Sequence, residues 1–167
     1  FKYQVRVEDL NESANLKYTL IKGPHGMQLD KSGKILWVPK AAQINYNDFE
    51  VSVTDGYGTD IQTGKIFINN PPSIISTPKP GGLTGHTWRY KLTTEDLNGD
   101  RLTYRAVRLP KFAMFDRRTA TIEWTPRKNQ DGVNDFILMA VDEHGATTTH
   151  DFQVHVFYDP SAKQLVN

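Results

Sequence analysis

The chain has 167 residues, a length that fits one average domain or two small ones. Twenty basic and nineteen acidic side chains leave a formal charge of +1, which argues against a nucleic-acid binder or a polybasic membrane-surface protein. Hydrophobic residues make up 38%, enough for a core and too many for wholesale disorder. No run approaches the roughly 18 apolar residues of a membrane helix, and no basic-plus-apolar leader is present. Cysteine is absent, which excludes a disulfide framework, thiol catalysis and thiolate zinc sites.

The chain repeats itself. Tyr3-Gln-Val-Arg-Val-Glu-Asp-Leu10 matches Tyr90-Lys-Leu-Thr-Thr-Glu-Asp-Leu97. Leu16-Lys-Tyr18 matches Leu102-Thr-Tyr104, and Pro24 to Asp30 matches Pro110 to Asp116. Ile35-Leu-Trp37-Val-Pro39 matches Ile122-Glu-Trp124-Thr-Pro126, and Phe49 to Asp55 matches Phe136 to Asp142. The offset stays at 86 to 87 throughout, as two copies of one unit require. Asn69-Asn-Pro-Pro-Ser73 and Pro78-Lys-Pro-Gly-Gly82 separate the copies. Prolines withhold amide donors and break strand ladders. The expected division is residues 1–70, 71–160 and a tail, 161–167.

Within each copy the period is that of strands. Lys65 to Asn69 and Phe152 to Val156 alternate, and Leu102 to Val107 is rich in strand formers. Turn signals recur at Ser32-Gly33, Asp55-Gly56, Asn98-Gly99, Asp131-Gly132 and His144-Gly145. No segment reads as a stable helix; the best candidate, Pro160 to Val166, is too short to stand alone. The expected fold is all-β, two tandem β-sandwiches.

The run Glu95 to Tyr104, then Leu109-Pro110, Phe115-Asp116, Trp124-Thr-Pro126 and Val141-Asp142, resembles cadherin-like immunoglobulin modules. These include the dystroglycan-type and "putative Ig" repeats of bacterial exported proteins. The first copy carries a weaker version: Glu8-Asp9-Leu10, Leu16-Lys-Tyr18, Gly23-Pro24, Leu29-Asp30, Trp37-Val-Pro39 and Thr54-Asp55-Gly56. The resemblance covers residues 1 to 158. It implies an immunoglobulin-like (cadherin-like) sandwich in each copy and a non-catalytic structural and protein-interaction module of a larger exported protein. The compartment would be the periplasm, the cell surface or the medium. The partner would be another protein or another domain of the parent.

Ser73 to Pro78 resembles a module's first strand, whereas the first copy begins at the equivalent of the second. That copy would lack an edge strand, because the boundary cuts through it, because another chain or domain supplies it, or because six strands suffice. An uncovered edge invites strand addition, which makes Phe1 and Tyr3 candidate contacts.

The loop Glu95-Asp96-Leu-Asn98-Gly99-Asp100 sets oxygen side chains around a glycine. With Asp142 it could wrap calcium, which takes about six to eight oxygens. The resemblance places that loop near the strand carrying Asp142. The alternative is an Asx turn, with Asp96 or Asn98 bonding nearby amides. The first copy's version, Glu8-Asp9-Leu-Asn11-Glu12-Ser13, lacks the glycine. No cofactor is expected apart from this calcium, whose presence would make the chain a calcium-stabilised adhesion module.

Trp37 and Trp124 occupy equivalent positions and read as core. Trp88 reads as core or edge cover too; an exposed tryptophan would instead support a carbohydrate-binding module, and of the three Trp88 would be that one. His150 and His155 point to opposite faces and cannot chelate together. No Gly-x-Ser-x-Gly or His-Glu-x-x-His motif occurs, and no enzyme activity is expected. A basic cluster includes Arg101, Arg105, Arg108, Arg117 and Arg118, although residues 71–167 hold twelve basic against eleven acidic side chains. It reads as a solvated, aggregation-blocking edge or as a docking patch for an acidic partner or anionic glycan.

Overall fold

The computed structural model describes residues 1–8 and 15–162. The first copy's acidic loop therefore lies largely outside the described residues, as does most of the tail. The chain divides into two compact units, Phe1–Asn70 and Pro71–Asn167.

Unit 1 contains β1 (Lys2–Gln4), β2 (Lys17–Lys22), β3 (Gln28–Leu29), β4 (Lys34–Leu36), β5 (Asn45–Thr54) and β6 (Thr59–Ile68). They form two antiparallel sheets, ordered β1-β4-β3 and β2-β5-β6. Alternation decides which side chains enter the gap between sheets. Ile35 is buried while Lys34 and Leu36 face out. Phe49 and Val51 meet Ile35, Trp37, Val5 and Met27 in the core.

Unit 2 contains β7 (Ser73–Ile74), β8 (Gly81–Leu83), β9 (Trp88–Lys91), β10 (Thr94–Glu95), β11 (Thr103–Arg108), β12 (Met114–Asp116), β13 (Thr121–Trp124), β14 (Gly132–Val141) and β15 (Thr147–Phe157). One sheet runs β11-β14-β15-β8 and another β12-β13-β9, with β7 pairing β10. The core is aromatic. Phe136 stacks on Phe152 with ring centroids 5.0 Å apart and meets Trp88 and Trp124 at 5.4 Å. Such offset and edge contacts add to the area they bury.

The described residues of unit 1 contain no counterpart of β7 or β8. In unit 2, β8 runs parallel to the end of β15, while β7 flanks Thr94–Glu95. At the start of unit 1 the Phe1 ammonium donates to the Trp37 carbonyl at 2.8 Å. The Trp37 amide donates back to Phe1 at 3.1 Å. Tyr3 is half-buried against Phe49, and its hydroxyl accepts from Gln62 Nε2 at 2.6 Å. Tyr3 is thus committed to its own core rather than offered to a partner.

The copies share their backbone turns down to single residues. Left-handed φ falls at Gly26 and Phe112, at Gly33 and Ala120, and at Asn45 and Gly132. These pairs are 86 or 87 apart. Each copy therefore needs the same three bends, whatever residue supplies them. A Cβ on Gly33 would lie 2.7 Å from the Tyr18 ring, whereas one on Gly26 meets nothing. Gly33→Ala should therefore cost about 2–4 kcal/mol, left-handed strain plus overpacking. Gly26→Ala should cost only the strain, about 1–2 kcal/mol. Urea melts of the two variants check the order.

Candidate functional site

Two clusters of side chains in unit 2 could carry function. The first is the pole formed by the loop after β10 and the β14–β15 turn. Asp96 Oδ1 accepts from the amides of Asn98 at 2.9 Å and Asp100 at 3.1 Å. That is the Asx turn. Asp142, 5% exposed, does the same for the next turn, its Oδ1 accepting from His144 N at 3.0 Å and Ala146 N at 2.7 Å. Asp100 Oδ2 lies 3.0 Å from His144 Nδ1.

Ligand atoms of Asp100, Asp142 and His144 lie within 4.8 Å of one another. Of the calcium candidates, the structure brings together Asp100 and Asp142. Glu95 and Asp96 stand outside this group, with Glu95 exposed in β10 and paired to Ser73. Asn98 contributes its amide to the Asp96 turn. No motif in the sequence marks His144, because it meets Asp100 only once β11 pairs with β14. This group supplies two carboxylates, one of them with an oxygen already capping a turn, and an imidazole, where calcium takes about six to eight oxygens.

The second cluster is a groove of about 680 Å³ on the side of unit 2. It is lined by Arg101, Leu102, Thr103, Tyr104, Arg105, Arg117, Arg118 and Val141. Three of the four arginine-rich candidates, Arg105, Arg117 and Arg118, meet there, joined by Arg101. Strand β11 supplies one wall and the β12–β13 turn the other. Tyr104 faces inward, its hydroxyl 2.7 Å from Thr94 Oγ1. The Arg105 guanidinium lies on Met139 Sδ at 2.9 and 3.1 Å, not on an acid. Arg108 is elsewhere. A register shift between Ala106 and Arg108 sets it opposite Ile137, 3.4 Å from Asp135. Among the described residues none of the four groove arginines is in an ion pair, whereas Arg89 and Arg108 are.

The tryptophans offer no platform for a sugar. Trp37, Trp88 and Trp124 are 2%, 5% and 1% exposed. Trp88, read as core or edge cover, is in the core and is the most exposed of the three, its indole N–H donating to the Lys79 carbonyl at 3.2 Å.

Asp116 holds the arginine turn. Its carboxylate accepts from Thr119 Oγ1 at 2.8 Å and from the Arg118 amide at 2.8 Å. These bonds, the Thr119 hydroxyl foremost, hold its pKa below the ordinary 3.8. A carboxyl with a depressed folded pKa contributes stability above its unfolded value and loses it as pH falls through the folded one. Stability from Asp116 should therefore be full above about pH 4 and fade below it. Asp116→Asn should flatten that part of the stability–pH curve, which chemical melts between about pH 5 and 2.5 will show.

The "Putative Ig domain" family model matches residues 71–157, just over half of the chain. No curated protein matches. Human protocadherin-24 EC1-2 superposes with a TM-score of 0.50 at 13% identity, covering 95% of this chain and 88% of that one. Sidekick-1 immunoglobulin domains 1–4 give 0.50 at 12% identity, covering 85% and 40%. An endo-fucoidan hydrolase of glycoside hydrolase family 107 gives 0.46 at 23% identity, and the chain spans 24% of its length. Two all-β units, sheets stacked on buried tryptophans and a family match over the whole second copy agree: the chain belongs to the immunoglobulin-like domain family of that description.

Proposed function

We propose that the chain is a non-catalytic binding module of a larger exported, envelope-associated protein. It docks a partner protein, or another domain of its parent, through the arginine groove of unit 2. The observation that carries this reading is four exposed guanidinium groups around one groove, none of them ion-paired with a carboxylate among the described residues. Side chains that serve only solubility need no common focus. No helix among the described residues is long and apolar enough to cross a membrane, so these residues offer no helical anchor of their own.

A photo-crosslinking residue at Thr103 should capture a partner identifiable by mass spectrometry, and the same residue at Lys79 should not. The purified partner should then bind Arg105→Glu/Arg117→Glu at least tenfold more weakly, about 1.4 kcal/mol. Equal capture at both positions would remove the groove from the reading.

Calcium is left out of this function, because the two carboxylates that meet at the pole are engaged otherwise, Asp142 capping a turn and Asp100 beside His144. Melts in calcium and in chelator should agree. A site filled a hundredfold over Kd would add about 2.7 kcal/mol, so a clear rise in calcium would reinstate the calcium-stabilised adhesion module.

A further inference from the structure

We propose that the groove takes an extended acidic peptide segment, which adds as a strand to the outer edge of β11 at Thr103–Ala106. Its carboxylates are held by Arg101, Arg105, Arg117 and Arg118. This rests on the binding-module reading above and names the chemistry of its partner.

The edge is available. β11 ends its sheet, with β14 on one side and no strand on the other. Among the described residues, no turn or loop backbone bonds to Thr103–Ala106 from outside. The register shift at Ala106/Arg108 closes this stretch at its far end. What remains is a short, straight edge, enough for a few ladder bonds.

The arginines are not required by the fold. Unit 1 has the same strand and turn, and the positions 86 residues earlier hold Asn15, Thr19, Lys31 and Ser32. Asp30 caps that turn as Asp116 caps this one, accepting from the Ser32 and Lys34 amides. The unit 1 edge is kept charged by Lys17, Lys22 and Lys31, without arginines, so a solvated edge does not require them. Their appearance in one unit only, focused on one groove, marks them for a ligand.

The ligand's class follows from the geometry. A strand edge presents alternating donors and acceptors, which a peptide backbone can match and a polysaccharide cannot. Alternate residues of an extended peptide are about 6.6 Å apart. Thr103 and Arg105 have that spacing on β11, so a carboxylate on one face of the incoming strand falls opposite the Arg105 fork. Arg117 and Arg118 reach the segment from the opposite wall.

The test uses the full chain and a fluorescein-labelled ten-residue peptide of alternating Glu and Thr. Anisotropy should show binding that weakens at least tenfold in Arg105→Glu/Arg117→Glu. It should stay within twofold in Lys79→Glu/Lys91→Glu, which changes net charge equally. Proline at alternate peptide positions should cost at least fivefold, and bound peptide should slow amide exchange at Thr103–Ala106. Equal binding of the proline peptide, or no change in exchange, overturns strand addition. If dextran sulfate binds through these arginines and the peptide does not, the inference fails and the binding module stands. If neither probe binds and the Thr103 crosslinker captures nothing, both fail.

Discussion

Both units depend on the burial of one indole between two sheets. Trp37 and Trp124 are the largest fully buried side chains of their units. A ring of that size removes about 150–250 Å² from water. At about 25 cal/mol per Å² that is about 4–6 kcal/mol, an upper figure because unfolded chains are not fully extended. The indole is buried only if its strand keeps alternation. Ile122 and Trp124 face in, so Glu123 faces out and is free to meet Arg89 at 3.0 Å. A slip of one residue would send the indole to solvent and Glu123 to the core. Pro126, itself fully buried, follows two residues later, where an amide donor is no longer needed.

The sandwich class was legible because its signals are local: alternation, turn dipeptides and a repeat that doubles each of them. Trp88 was legible as core or edge cover, but what covers it was not, because that cover is not local. Trp88 and Tyr90 alternate inward on β9, but the cover over Trp88 includes β8, a parallel strand against the far end of the chain. A Cβ at Gly82 would sit 3.6 Å from the indole. No pattern around residue 88 announces that strand. The 3-10 turns at Ala41–Gln43 and Lys128–Gln130 also escaped, being too short for any period. Their marks were the glutamines, Gln43 and Gln130, whose side-chain oxygens accept from Lys40 N and Arg127 N.

The site was legible as residue types and not as groupings. Arg105 and Arg108 look alike in sequence. One irregularity in the β11–β14 register sends Arg108 to Asp135 and leaves Arg105 over Met139. His144 takes the place of Tyr57 in unit 1, its amide donating to Asp142 as that of Tyr57 donates to Asp55, and the turn it belongs to, Asp142–Ala146, is one residue longer than Asp55–Gly58. The two copies act as controls for each other here. The left-handed bends, the capping aspartates and the buried indole recur, so the fold needs them. The longer turn and the arginine wall do not recur.

That separation bears on how a partner is recognised. The chain's net charge is only +1, so at physiological salt, where charges are screened within about 8 Å, it presents no long-range basic field. The arginines can therefore act only at contact, as forks for carboxylates a few ångströms away. A partner recognised by diffuse charge alone would gain little here over any other part of the surface. A partner that also uses the β11 edge gains main-chain bonds, whose directions screening does not blur, and it must be extended to do so. The near-neutral balance and the local arginine wall then serve one end: weak attraction at a distance and selective pairing at one strand.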